Sequence, residues 1–231
     1  MGLGHSPRIV TDGLVLCLDA ASKRSYPGTG TTWTDRSASG NDGTLTNMDA
    51  SNFSSDNGGS FSFDGSNEYV QTQNVTLSSS NFTLSCWIKF DSLPSLGTVF
   101  SSSHYYATGY NGNFLLRINS GNSVTFATYD GKSNEQYITT LYSISINKWY
   151  NFAVNGDGTN SSIYVDTDKI SSFAQNKVLT DLSNGGLIIG DDISWSNQPI
   201  DGKISNVSIY NRALSADEIR QNYEATVGRF S

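Results

Sequence analysis

Two cysteines are too few for a disulfide framework, and each lies inside an apolar strand-like run, Cys17 in LVLCLDA and Cys86 in FTLSCWIKF. Cysteine in that setting acts as a small buried hydrophobe, which suits a reducing or redox-indifferent compartment. Histidine is as scarce, with only His5 and His104, so there is no Cys/His cluster for zinc and hardly a base to activate a nucleophile; a G-x-S-x-G elbow is also missing. Lys and Arg number 14 against 21 Asp and Glu and are scattered singly, which argues against a nucleic-acid partner that would need a cationic stripe. No stretch has the apolar length of a membrane span, so no membrane insertion is expected. The N-terminal MGLGHSPRIV has no apolar core of a secretory signal, and synthesis without a signal peptide is expected.

What fills the space is Gly, Ser, Asn and Thr, with 36% hydrophobic, 12% aromatic and only 15% charged residues over 231 positions. That balance suits short strands joined by polar turns, and the aromatic content argues against disorder. Strand signals recur at 13–19, 60–65, 68–73, 82–90, 97–103, 113–119, 123–130, 149–155, 161–173, 186–191 and 202–211, separated by turn-forming Gly, Asn, Asp and Ser. Phe82, Leu84, Cys86, Ile88 and Phe90 alternate with Thr83, Ser85, Trp87 and Lys89, giving one apolar and one mixed face. The prediction is an all-β fold, a two-sheet antiparallel β-sandwich or jelly roll with one short C-terminal helix. Residues 20–58 read as a long ordered loop pinned by Tyr26 and Trp33. The expected organisation is an N-terminal arm (1–12), one sandwich domain (13–226) and a C-terminal tail (227–231).

The helix is expected after 215. Ser215 is a natural N-cap, Glu218 completes a capping box, and Ile219 with Tyr223 makes one apolar stripe, while Leu214 is placed to staple onto Ile219. This closing segment, GKISNVSIYNRALSADEIRQNYEA at 202–225, resembles the end of laminin G-like domains of the concanavalin A-like lectin/glucanase superfamily, with its G-x-I-x-x-V-x-I-Y strand running into N-R-A-L-S-x-x-E-I. SFSFDGSNEYV, FTLSCWIKF, KWYNFAV with SSIYVDTDK, and LIIGD are similar to the family's other strands, so the resemblance spans most of 13–225. Thr167 stands where the family often has Gly, which bears only on the turn type. The block DGLVLCLDAASKRSYPGTGTTWTDRSASGNDGTLTN looks like the form of this domain in virion proteins of tailed bacteriophages, implying a protein made in the host cytoplasm and carried on the virion surface.

The resemblance raises catalysis, calcium and sugar binding as roles. Glycoside hydrolysis needs two carboxylates facing one bond. The family's E-x-D-x-x-E strand motif is absent, Glu218 and Glu224 belong to the terminal helix, and Asp166 with Asp168 falls in a hairpin turn, so no catalytic residue is assigned. A rim calcium ion, which the resemblance implies, would find oxygen ligands in Asp64, Asn67, Asp191 and Asp192; the alternative is that these residues shape turns. Sugars would stack on exposed aromatics. HYYATGYNGN offers Tyr105, Tyr106, Tyr110 and Asn111, with Trp195 as a second platform; the same side chains could instead contact other virion proteins or a second subunit of a homo-oligomer. The expected function is a non-enzymatic recognition module, a decoration or fibre-associated virion protein that binds glycans. The alternatives are a purely structural virion part and a carbohydrate-binding or glycosidase-related domain of cellular origin.

Overall fold

The alternation read from the sequence builds two facing sheets. The computed structural model describes residues 7–73, 75, 77, 80–102, 113–119, 121–129, 135–174, 186–193 and 197–230. Its strands are β1 (Leu14–Asp19), β2 (Thr32–Trp33), β3 (Gly43–Thr46), β4 (Phe53–Ser54), β5 (Ser60–Asp64), β6 (Tyr69–Thr72), β7 (Asn81–Phe90), β8 (Leu96–Ser102), β9 (Asn113–Asn119), β10 (Ser123–Tyr129), β11 (Glu135–Leu141), β12 (Trp149–Asp157), β13 (Asn160–Val165), β14 (Asp168–Ala174), β15 (Leu187–Ile189) and β16 (Asp201–Tyr210). The first sheet runs β14-β13-β12-β7-β16-β5-β4, and β1 pairs with the second half of β16; the second sheet runs β11-β10-β9-β8-β15-β6-β3-β2. The pairings are antiparallel, as the two-sheet prediction requires.

The core lies between the sheets. Phe82, Leu84, Cys86, Ile88 and Phe90 of β7 all point inward, and Phe100, Leu116, Ile118 and Phe126 face them from the second sheet, each almost fully buried. A side chain of that size contributes about 2 kcal/mol on leaving water. Tyr26, Trp33 and Phe53 pack around Phe61 with ring centroids 4.7, 4.8 and 5.7 Å away. Gly190 and Gly202 occupy positions where a Cβ would collide with the Phe63 ring and the Lys89 carbonyl oxygen, which explains the glycines of the two strand motifs. Cys17 and Cys86 are free and buried. No helix among the described residues is long and apolar enough to cross a membrane.

Two stretches differ from the expectation. Residues 20–58 are not one loop: they contain β2, β3 and β4, strands of two to four residues too short to show alternation. EQYITTL, expected as a connection, forms β11; its polar composition hid a strand that pairs with β10 over its whole length. The anchor of the first stretch, besides Tyr26 and Trp33, is Asp35. Its buried carboxylate accepts hydrogen bonds from Cys17 N (2.8 Å), Ser37 N (2.8 Å), Ser37 Oγ (2.7 Å) and Asn41 N (2.9 Å). Four donors on one carboxylate tie β1 to the turn before β3.

Helix α1 (Ala216–Thr226) carries the expected capping box between Ser215 and Glu218. Leu214 and Ile219 are buried together with Val10 and Tyr210. Tyr223 stacks on Trp87 at 5.3 Å, and the Trp87 indole donates to Thr226 Oγ1 (2.8 Å). Packing continues past 226, because Phe230 stacks on Trp87 at 4.2 Å and meets Trp149 at 4.8 Å. At the other end Val10 N donates to Asn222 Oδ1 (2.8 Å), and the Tyr210 hydroxyl donates to Val10 O (2.9 Å). The arm before β1 is therefore laid along the helix. Glu218 has a second partner that the sequence did not reveal: Arg212 binds it through both guanidinium nitrogens (2.9 and 2.6 Å), which holds the carboxyl at about 2, below the usual 4.5.

Two outcomes follow from these contacts. Asp35→Ala leaves buried donors unsatisfied and should lower unfolding stability by about 3 kcal/mol, read in urea denaturation with an unchanged slope. For Glu218, the unfolded state binds the extra proton between about 4.5 and about 2, so stability should fall with pH through that window. Thermal melts from pH 5 to 2 should show this loss in the wild type and a shallower one in Glu218→Gln, a difference of about 1 kcal/mol for a half-exposed pair.

Candidate functional site

The aromatic candidates Tyr105, Tyr106, Tyr110 and Asn111 fall in the β8–β9 connection and Trp195 in the β15–β16 connection; all five lie outside the described residues. The four candidate metal ligands divide into two pairs. Asp64 and Asn67 lie on the exposed turn between β5 and β6. Asp64 Oδ1 accepts from Ser66 N (2.9 Å), Asp64 N donates to Glu68 Oε2 (2.7 Å), and the Asn67 carbonyl accepts from Asn47 Nδ2 (2.8 Å). Hydrogen bonding with Glu68 lowers Asp64, while burial first and then Asp64 raise the Glu68 carboxyl. Asp191 and Asp192 follow β15 and are both fully buried. Asp191 Oδ1 accepts from Asp192 N (2.7 Å), whereas its Oδ2 is buried without a hydrogen-bond partner. Burial, with Asp192 adding to it, raises the Asp191 carboxyl. Among the described residues no group of three or more His, Cys, Asp and Glu could hold a metal ion. Calcium takes six to eight oxygens, so at either pair the remaining ligands would have to be backbone carbonyls and water.

On the helix side, an open cleft of about 360 Å³ lies between the N-terminal arm, β1, β16 and the end of α1. Within its lining Arg229 is bidentate to Asp19 at 2.7 and 3.0 Å. Burial, followed by Asp19 and Asp35, pushes the Cys17 thiol up to about 11, so it is protonated at neutral pH and is no nucleophile.

The outer face of the second sheet is built differently. With Phe114, Leu116 and Ile118 turned into the core, alternation along β9 turns Leu115, Arg117 and Asn119 outward. Register then sets three rows across β8 to β11: Ser101, Leu115, Ala127 and Tyr137; Thr98, Arg117, Thr125 and Thr139; Leu96, Asn119, Ser123 and Leu141. The second and third rows supply a polar floor that is largely covered, since Thr98 and Thr125, like Ser101, Leu115 and Ala127 of the first row, are at most 1% exposed. Asn119 Nδ2 donates to Ser123 Oγ (3.1 Å) and Thr125 Oγ1 (2.9 Å), and the Thr125 and Thr139 hydroxyls bond at 2.7 Å. Two atoms in this floor are buried with no hydrogen-bond partner, Arg117 Nε and Asn119 Oδ1. The rim is apolar: Tyr137 is 62% exposed and Leu141 83%. On the other side Ser101 Oγ donates to Asp191 O (3.1 Å) and Thr98 Oγ1 to Gln198 Oε1 (3.3 Å), so the β15–β16 connection borders the same floor. Sequence reasoning missed this face. The signal was available in NFLLRIN, where a single Arg interrupts an apolar strand.

A profile of the concanavalin A-like lectin/glucanases superfamily matches residues 64–220. The chain belongs to this superfamily. Its fold is also that of solved structures of low sequence identity. The botulinum neurotoxin serotype G binding domain aligns with a TM-score of 0.66 at 19% identity, over 91% of this chain and 50% of that one. The binding domain of Paraclostridial Mosquitocidal Protein 1 aligns at 0.67 and 16%, over 91% and 52%. Domain 4 of AbnA, a GH43 extracellular arabinanase from Geobacillus stearothermophilus solved with arabinotriose, aligns at 0.70 and 15%, over 93% of this chain and all of that one. The chain thus spans about half the length of the toxin binding domains. None of the curated proteins compared with it matches by sequence.

The superfamily sandwich makes Asp191 testable. Its folded-state proton affinity is raised by burial, so stability is lost as pH rises from about 4 and the buried carboxyl gains its charge. Asp191→Asn should therefore raise the melting temperature at pH 7 and leave it unchanged near pH 3. A drop at pH 7, reproduced in the wild type by chelator, would instead mean a cation sits there.

Proposed function

We propose that this chain is a non-catalytic recognition module that binds glycans across the outer face of its second sheet. The observation that carries the reading is the exposed β11 rim of this face, Tyr137 at 62% and Leu141 at 83%, bordering a covered polar floor in which Arg117 Nε and Asn119 Oδ1 have no hydrogen-bond partner. Sugars present hydroxyls that satisfy such groups and C–H faces that stack on an aromatic ring. Unpaired polar atoms in a floor that is otherwise hydrogen-bonded favour a ligand over a packing role. Catalysis finds no support on this face, since its outward positions on β8, β9 and β10 carry no carboxylate pair to flank a glycosidic bond. The arabinotriose complex of the arabinanase domain supports sugar as the ligand class, and the toxin binding domains support a role in attachment.

The finer reading places the module on the surface of a tailed-phage particle, as a decoration or fibre-associated protein, on the strength of its N-terminal block from 12 to 47. Mass spectrometry of particles from the organism carrying its gene tests this, and absence from them would reject it. A second reading, protein–protein contact, is favoured by the exposure of Leu141 and Ile146.

Glycan-array screening followed by calorimetry should find saturable binding. Tyr137→Ala should weaken it about tenfold, since one stacked ring is worth about 1.4 kcal/mol, with the melting temperature unchanged. Absence of binding to every glycan on the array would sink the reading.

A further inference from the structure

We infer that the open cleft beside the helix is a second binding site, which takes an anionic oligosaccharide by its acidic groups. The inference is separate from the glycan reading above: the cleft lies on the outer face of the first sheet, and the rim at Tyr137 takes no part in it.

The hydrogen-bonding groups of the cleft are one-sided. Cys17 and Asp19 of β1 stand opposite Ser208 and Asn206 of β16 and form its floor, with Arg8 of the arm and Arg229 after the helix as walls. The floor is open, because Asp19, Asn206 and Ser208 are each partly exposed and Arg8 is exposed. Its acceptors are engaged: both Asp19 oxygens accept from Arg229, and Oδ1 also accepts from Ala21 N (3.1 Å). Donors are left over. Asn206 Oδ1 accepts from Trp87 N (3.3 Å), while its Nδ2 has no hydrogen-bond partner among the described residues. Arg8 forms no ion pair with a described carboxylate. Free donors without free acceptors select a ligand rich in oxygen acceptors.

Charge points the same way. The protein has a formal net charge of −7, yet five of its 14 Lys and Arg gather about β1. Arg8 and Arg229 line the cleft, Arg36 donates its backbone N–H to Cys17 O (2.8 Å), and Lys23 with Arg24 lies on the turn closed by Ser22 N on Asp19 O (3.0 Å). Lys23, Arg24 and Arg36 are exposed and, like Arg8, have no ion pair among the described residues. The neighbouring carboxylates are already held: Asp19 by Arg229, Asp35 by its four donors, Asp42 by Asp35 N (2.8 Å) and Asp12 by Arg212 (2.9 Å). Unpaired cations around a cleft raise the local concentration of anions. Guanidinium forks match the paired oxygens of a carboxylate or sulfate. Asn206 and Ser208, two residues apart on one strand face and so about 6.8 Å apart, are left for the hydroxyls of a sugar ring.

The test is calorimetry of the full chain with oligogalacturonate and a heparin-derived oligosaccharide as carboxylated and sulfated probes, against methyl-esterified oligogalacturonate and polyglutamate. One acidic saccharide should bind, more weakly as salt is added, and at least tenfold more tightly than the ester or the peptide. Arg8→Ala combined with Arg36→Ala should weaken it about tenfold at an unchanged melting temperature, and Lys169→Ala, a charge removed from the distant β14, should not. Location is read from Cys17, which lines the cleft while Cys86 is fully buried: the bound saccharide should slow labelling of Cys17 by a small thiol reagent at alkaline pH. Binding of neither acidic probe, equal binding of polyglutamate, or binding felt by neither the arginine variant nor Cys17 would overturn the inference. Binding lost only in Tyr137→Ala would overturn it and leave the glycan reading standing.

Discussion

One strand, β16, holds the first sheet together. β16 pairs with β7 along one edge, and its other edge is divided: Asp201–Ile204 go to β5 and Asn206–Tyr210 to β1. Buried backbone groups must be paired, so a ten-residue strand at the centre of a sheet needs both edges filled along its full length. No single partner does this here. Between the two halves sits Ser205, fully buried, where the ladder to β7 shifts register; its carbonyl accepts from Ala20 N (2.9 Å) and its hydroxyl donates to Gly59 O (2.7 Å). The chain's beginning, its first third and its end are thereby joined at one residue.

That arrangement explains why the two sheets have different outer surfaces. The first sheet, having gathered both ends of the chain, is covered on its outside by α1, the arm before β1, and Phe230 stacked on Trp87 and Trp149. On the second sheet the outward Thr98, Ser101, Leu115, Thr125 and Ala127 are buried as well, with the β15–β16 connection bonded to Thr98 and Ser101, and only the β11 rim at Tyr137 and Leu141 stays exposed.

The division is mirrored in what the sequence disclosed. The β7 alternation and the S-x-x-E box were legible because each is a local pattern, settled within ten residues. β2, β3 and β4 were too brief to alternate, and β11 puts a threonine on each face, Thr139 and Thr140, so tertiary pairing and not composition makes them strands. Glu218 read only as a cap, because the Arg212 contact depends on how the chain turns from β16 into the helix. The sheet face was harder still. Arg117, Thr98, Thr125 and Thr139 come from four strands, and only register places them in a row. Exposed aromatics in loops stand out to a reader of sequence; a charge left without a partner does not.

The first contacts of the described chain, at Arg8 and Val10, and the last, at Phe230, are made on the same outer surface, that of the first sheet. The two ends of the described chain therefore share one packing surface, so loosening either of them uncovers the same side of the first sheet: Tyr210 beneath the arm, Trp87 and Trp149 beneath the closing turn.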